Sequence, residues 1–139
     1  MPRYRRVSDR DYARLLAVRS RLREFEHWSA QRAATFGLTA SQHQLLLAIR
    51  GHADSSGPTI GQAADYLLIR HNTAVELVDR AQQLGVLVRS RDAEDHRVVR
   101  LELTDEGRSR LEALAGAHIE ELARLTPMIE ALTGELSGR

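Results

Sequence analysis

The chemistry open to this chain of 139 residues is largely that of arginine. All 20 of its basic residues are Arg and none is Lys. A guanidinium is planar and presents paired donors that match phosphate, carboxylate and the edge of guanine. Coding bias of a GC-rich genome is the simpler source of the missing lysine, so position matters more than composition. Two stretches gather such groups. Arg70, His71, Asn72 and Thr73 are consecutive, and Glu76 and Arg80 follow Thr73 at helical spacing. Arg89, Arg91, Asp95, His96 and Arg97 form the second stretch.

Catalysis has little to work with. Cysteine is absent, which removes disulfides, thiolate metal sites and nucleophilic thiols together. No Gly-x-Ser-x-Gly elbow, phosphate-binding loop or Gly-x-Gly-x-x-Gly turn occurs. The six histidines are scattered without a His-x-x-x-His pair. His118 and Glu121 lie one helical turn apart, but two donors are fewer than a zinc site needs. The expectation is no enzyme, no cofactor and no metal.

The elements that must hold the two stretches follow from periodicity. Apolar residues at 42% and charged residues at 28% suit a globular domain. The longest apolar run, residues 45–49, is far below the roughly 20 residues of a membrane span. The charged N-terminus has no apolar signal region, so no membrane association and a cytoplasmic location are expected. A helix is predicted from about Asp9 to Phe36, with Tyr12, Leu15, Leu16, Leu22, Phe25 and Trp28 at helical spacing and Gly37 as a stop. Thr39-x-x-Gln42 and Thr59-x-x-Gln62 are capping boxes opening two short helices, with the turn-forming run Asp54-Ser55-Ser56-Gly57 between them. The next helix runs from about Arg70 to Leu84, with Gly85 as a left-handed stop. Ala74, Leu77, Val78, Ala81 and Leu84 are its inner stripe; Thr73, Glu76, Arg80 and Gln83 share the opposite face. Two strands, 86–91 and 97–103, flank residues 92–96. Thr104-Asp105-Glu106 opens a long helix with Leu111, Leu114, Ala115, Ile119, Leu122 and Leu125 inward. Thr126-Pro127 reads as a cap and first turn of a further helix, or as a bend. Residues 1–32 hold nine Arg against four acids and residues 101–139 four against eight, so the two ends attract each other, within a chain or between chains.

Short helices, a helix with a bare polar face and a hairpin with an Arg-rich tip make a winged helix-turn-helix, mainly α with a small two-stranded β-wing. In that architecture the third helix fits the major groove of duplex DNA and the wing reaches the adjacent minor groove.

The segment from Leu38 to Gly107 resembles the multiple-antibiotic-resistance regulator (MarR) family. The matching pieces are Leu38-Thr39-x-x-Gln42, Asn72-Thr73-Ala74-Val75, Val78-Asp79-Arg80, and Leu84-Gly85-Val86-Leu87-Val88-Arg89. The wing matches as Asp92-x-x-Asp95-His96-Arg97, and Leu103-Thr104-Asp105-Glu106-Gly107 leads into the long helix. The resemblance implies a sequence-specific, duplex-DNA-binding transcription regulator: a homodimeric repressor on a pseudo-palindromic operator, released by a small ligand. It implies one domain over 1–139, with 1–36 and 108–139 as intertwined dimerisation helices and 37–107 as the winged DNA-binding region. The chain's physics agrees, because long apolar-striped terminal helices have little core to cover in a domain whose short helices and wing close their own.

Residue by residue, Arg97 matches the family's wing arginine, expected in the minor groove with Arg91 nearby. Asp95 matches the wing aspartate, expected to hold the tip by pairing with an Arg, Arg89 first. His96 stands where Arg is common, a departure that weakens one minor-groove contact. Arg70, His71, Asn72, Thr73 and Arg80 are expected against phosphates and base edges. Glu76 is a second departure, since a carboxylate facing the groove is repelled by phosphate unless it accepts from a cytosine amine. Trp28, Arg32 and His43 are the candidates for a small aromatic or anionic effector; core packing of Trp28 and a hydrogen-bonded helical His43 are the simpler readings. The departures at Glu76 and His96 also keep open a winged-helix protein-interaction module without specific DNA binding.

Overall fold

The computed structural model describes residues 6–136. The chain forms α1 (Asp9–Thr35), α2 (Ala40–Gly51), α3 (Ile60–Leu67), α4 (His71–Leu84), β1 (Leu87–Arg91), β2 (Val99–Leu103) and α5 (Asp105–Leu136). Both capping boxes form: Thr39 Oγ1 accepts from Gln42 N at 3.1 Å and Gln42 Oε1 accepts from Thr39 N at 2.9 Å. Thr59 and Gln62 repeat the exchange at the start of α3. Gly85 ends α4 at φ 83°, its N–H donating to the carbonyls of Ala81 and Gln82. Leu68 ends α3 in the same left-handed region, at φ 55°, and is 92% exposed. A branched side chain there costs about 1–2 kcal/mol.

Of the described residues, those up to Gln31 together with those from Gly116 onward form one compact unit, and Arg32–Ala115 form another. In the second, Leu38 and the inner faces of α2 and α4 bury Leu45, Leu46, Ile49, Val78 and Ala81 against Leu87, Leu101, Leu103, Leu111 and Leu114. The strands pair antiparallel from Leu87 opposite Leu103 to Arg91 opposite Val99. The α2–α3 loop closes onto β2, where Leu101 N donates to Pro58 O at 2.8 Å. Gly57 makes that approach at φ +88°; a Cβ there would lie 2.1 Å from the Leu101 carbonyl oxygen. Thr104 joins the wing to α5 by donating its hydroxyl to Gly85 O at 2.6 Å and accepting from Gly107 N at 3.1 Å.

In the helical unit, Trp28 packs against Phe25 and His118, with ring centroids 6.0 and 4.8 Å away, and those two rings meet edge-on at 6.0 Å. His118 Nε2 lies 2.7 Å from Ser29 Oγ. Arg10 and Arg14 both pair with Glu135, so part of the attraction between the oppositely charged ends operates within one chain. Two expectations need correction. No new helix begins at Thr126-Pro127: α5 runs unbroken with Pro127 inside it, and the Thr126 hydroxyl donates back to Leu122 O at 2.7 Å instead of capping a new first turn. Ile119 and Leu122 do not pack inward within the chain; they are 68% and 45% exposed, because α5 turns that stripe away from the partners its own unit supplies. Tyr12, Leu15, Leu16 and Leu22 of α1 are also exposed. Among the described residues no helix is long and apolar enough to cross a membrane.

Candidate nucleic-acid interface

The α4 face is built by the inner stripe opposite it. With Ala74, Val78 and Ala81 buried, the 3.6-residue period turns Thr73, Glu76, Arg80 and Gln83 outward, and all four are exposed. Arg70 is the N-cap, yet its side chain caps no amide, so the first-turn N–H groups and the helix's positive end are left to an outside partner. Arg70, His71 and Asn72 are exposed around that end. A groove of about 350 Å³ separates this face from the start of α2, lined by Ser41, Gln42 and Gln44 on one side and Thr73, Glu76 and Arg80 on the other. The three α2 residues are not foreseen from the sequence; their signal is a polar run between the Thr39 cap and the buried Leu45.

The wing is organised by a pair that the sequence reading also misses. Arg100 Nε donates to Asp92 Oδ1 at 2.9 Å, and both side chains are more than four-fifths buried. Arg100 Nη1 donates to Gly57 O at 3.0 Å, tying the wing to the α2–α3 loop. Asp92 Oδ2 accepts from the amides of Glu94 and Asp95, which turns the chain at the tip. The Arg100 guanidinium, and after it the Asp95 amide, hold the Asp92 carboxyl below the usual carboxylate range. The available signal is the Asp at the head of the turn, where its side chain bonds amides two and three residues on.

Asp95 does not pair with Arg89. Its partner is Arg97, which donates from N, Nε and Nη2 at 3.0–3.1 Å. These bonds lower the Asp95 carboxyl and raise the Arg97 guanidinium. Arg89 instead reaches back to Asp79, at 2.5 Å, and to Gln82. The cause is geometric: the link from α4 to β1 is two residues long, so the Arg89 face of the strand lies against the helix just left. Arg91 Nη1 donates to His96 O at 2.7 Å across the tip, and the His96 and Arg97 side chains are exposed.

The effector candidates fall in both units, Trp28 and Arg32 one helical turn apart on α1. Trp28 belongs to the helical unit, where it lines a cavity of about 190 Å³ with Phe25, Leu125 and the pairs Arg21–Glu24 and Glu121–Arg124. Arg32 and His43 belong to the other unit; Arg32 is exposed and His43 is buried on α2. His118 and Glu121 are engaged by Ser29 and Arg124.

Two helices joined by a tight turn, the second with an open polar face, followed by an antiparallel hairpin, define a winged helix-turn-helix protein. Residues 36–98, which hold α2 to the wing's tip, match the sequence model of the MarR family. MepR, a transcription regulator of a multidrug efflux pump of Staphylococcus aureus, superposes with a TM-score of 0.73 at 24% identity, over 91% of this chain and 97% of its own. Its complex with DNA gives 0.67 at 23%, over 86% and 91%. AbsC, a MarR family regulator of Streptomyces coelicolor, gives 0.70 at 16%, over 98% and 100%. CouR of Rhodococcus jostii, bound to p-coumaroyl-CoA, gives 0.65 at 21%, over 73% and 69%. At these identities the likeness establishes the fold. A comparison with curated protein sequences returns no match.

Proposed function

We propose that the protein is a dimeric, duplex-DNA-binding transcription regulator of the cytoplasm, a repressor that acts by binding and not by catalysis. The observation that carries this reading is the α4 face. Thr73, Glu76, Arg80 and Gln83 are exposed, and among the described residues none makes a side-chain hydrogen bond or ion pair. A polar face without internal partners, beside a wing whose tip presents Arg97, suits a major groove and its adjacent minor groove. In this reading Arg70, His71, Asn72 and Arg80 meet phosphates and base edges, and Arg91, His96 and Arg97 approach from the wing, while Asp95 orients Arg97 and Arg89 holds β1 to α4. The DNA complex of MepR supports it by fold.

The same reading makes residues 1–36 and 108–139 the dimerisation helices and 37–107 the winged region of a single domain. A small aromatic or anionic effector acting through Trp28, Arg32 and His43 releases the DNA; the ligand on CouR is support by fold alone.

The test is a gel shift with the DNA flanking the protein's own gene, against random duplex, across salt. A dimer neutralising roughly six phosphates gives a log–log slope of about −5. A flat salt response, or equal affinity for both duplexes, overturns the reading in favour of a protein-interaction module.

A further inference from the structure

Glu76 is the one acid among the polar side chains that α4 turns into the groove shared with α2. It precedes Arg80 by four residues, the order in which a glutamate readily pairs with a following arginine on a helix. Yet among the described residues neither Glu76 nor Arg80 is in an ion pair, and both line the groove with Gln42, Gln44 and Thr73. The carboxylate is therefore presented outward without a cation to neutralise it.

Resting on the DNA-binding reading above, this has a specific consequence. A carboxylate approaching a duplex is opposed by the phosphates on both sides of the groove, so it weakens binding to DNA in general. It recovers that loss only against a hydrogen-bond donor. In the major groove guanine offers the acceptors O6 and N7 and thymine offers O4; adenine sets its N6 amine beside the acceptor N7; cytosine offers the N4 amine. A carboxylate has acceptors only, so cytosine is the base edge it fits and the others oppose it. We propose that Glu76 is a specificity-determining residue, accepting from the N4 amine of one cytosine in each half-site and disfavouring every other base at that position. Arg80, one turn further along the same face, supplies the positive charge that keeps the surface attractive to the duplex.

Selection from randomised duplexes by the wild-type protein, Glu76→Gln and Glu76→Ala tests this. Both substitutions fall on an exposed helical position and introduce good helix formers, so folding is preserved. The wild type is expected to select cytosine at one position of each half-site, and replacing it should weaken binding about 5- to 150-fold. Glu76→Gln should move the preference there to adenine, whose N6 and N7 a carboxamide meets together. Glu76→Ala should lose the preference at that position alone and bind random duplex more tightly than the wild type. If both variants keep the wild-type preference at every position and simply bind all sequences more tightly, Glu76 only repels phosphate and the inference is overturned. If the wild type selects no sequence at all, the DNA-binding reading falls first and this inference with it.

Discussion

Arg97 leaves 90% of its side chain in solvent while its guanidinium is held by Asp95. An ion pair so exposed contributes little to stability. In the proposed DNA-binding role its effect lies in binding, because a long side chain already fixed in one orientation loses less freedom when it docks. Arg97→Ala is therefore expected to weaken binding to operator and random duplex alike, by about 10-fold, and to lower the magnitude of the salt slope by about 1. Its thermal midpoint should match the wild type's; a variant with unchanged affinity would remove Arg97 from the interface. Asp92 has the opposite role. It lies at the head of the wing's turn, and Arg100 holds its carboxyl below the usual range. A carboxyl lowered by folding contributes fully above its unfolded value of about 4, and that contribution is lost as pH falls through the lower folded value. The stability difference between wild type and Asp92→Asn is thus expected to stay level from pH 8 to 5 and to shrink only in acid, as denaturation at several pH values would show. These two acids, three residues apart in one turn, also mark what sequence spacing leaves open. It identifies a wing acid that bonds an arginine, but which acid meets Arg97, Arg100 or Arg89 depends on which strand face looks toward α4.

The elements that were legible are those set by local chemistry. Thr39-x-x-Gln42, Thr59-x-x-Gln62 and Gly85 each close their hydrogen bonds within a few residues, and the structure reproduces all three. Thr126-Pro127 fails as a boundary because a threonine hydroxyl can cap forward or bond backward, and α5 continues on both sides through side chains such as Leu125 and Ile129. Pro127 still lacks the N–H that would bond to Ala123, and its ring crowds that carbonyl. Pro127→Ala is expected to stabilise the protein by about 1–3 kcal/mol in chemical denaturation. The close approach of the α2–α3 loop to β2 gives a prediction of opposite sign. Gly57 joins two elements more than 40 residues apart in sequence, a contact that no local pattern announces. A Cβ at Gly57 would meet backbone, not a movable side chain, and the residue is in the left-handed region besides. Gly57→Ala should destabilise by at least about 2 kcal/mol and release the Arg100 anchor. A melt unchanged by this substitution would mean that the loop can move away from the wing without cost.

For the molecule as a whole, the telling feature is the asymmetry between the two units. The winged unit closes a continuous core of its own. The helical unit buries Leu125 but leaves Tyr12, Leu15, Leu16, Leu22, Ile119 and Leu122 exposed. Apolar side chains left open along two long helices suit a partner surface, and in the proposed dimer a second copy of the chain supplies the same stripe in return. Fully burying an exposed leucine or isoleucine contributes about 1.5–3 kcal/mol, so completing the burial of several such side chains favours the proposed dimer. Ile119→Glu combined with Leu122→Glu places two charges on that stripe without touching the winged core. Sedimentation should then give a species of one chain's mass where the wild type gives twice that mass. Operator binding should fall about 100-fold or more in the same variant, since the second half-site is no longer tethered at high effective concentration and the two recognition helices no longer span successive major grooves, about 34–36 Å apart. Binding to an isolated half-site should change far less, which separates lost dimerisation from a damaged α4. Sedimentation of the wild type as a folded single chain at micromolar concentration would show that the exposed stripe on α1 and α5 serves something other than self-association.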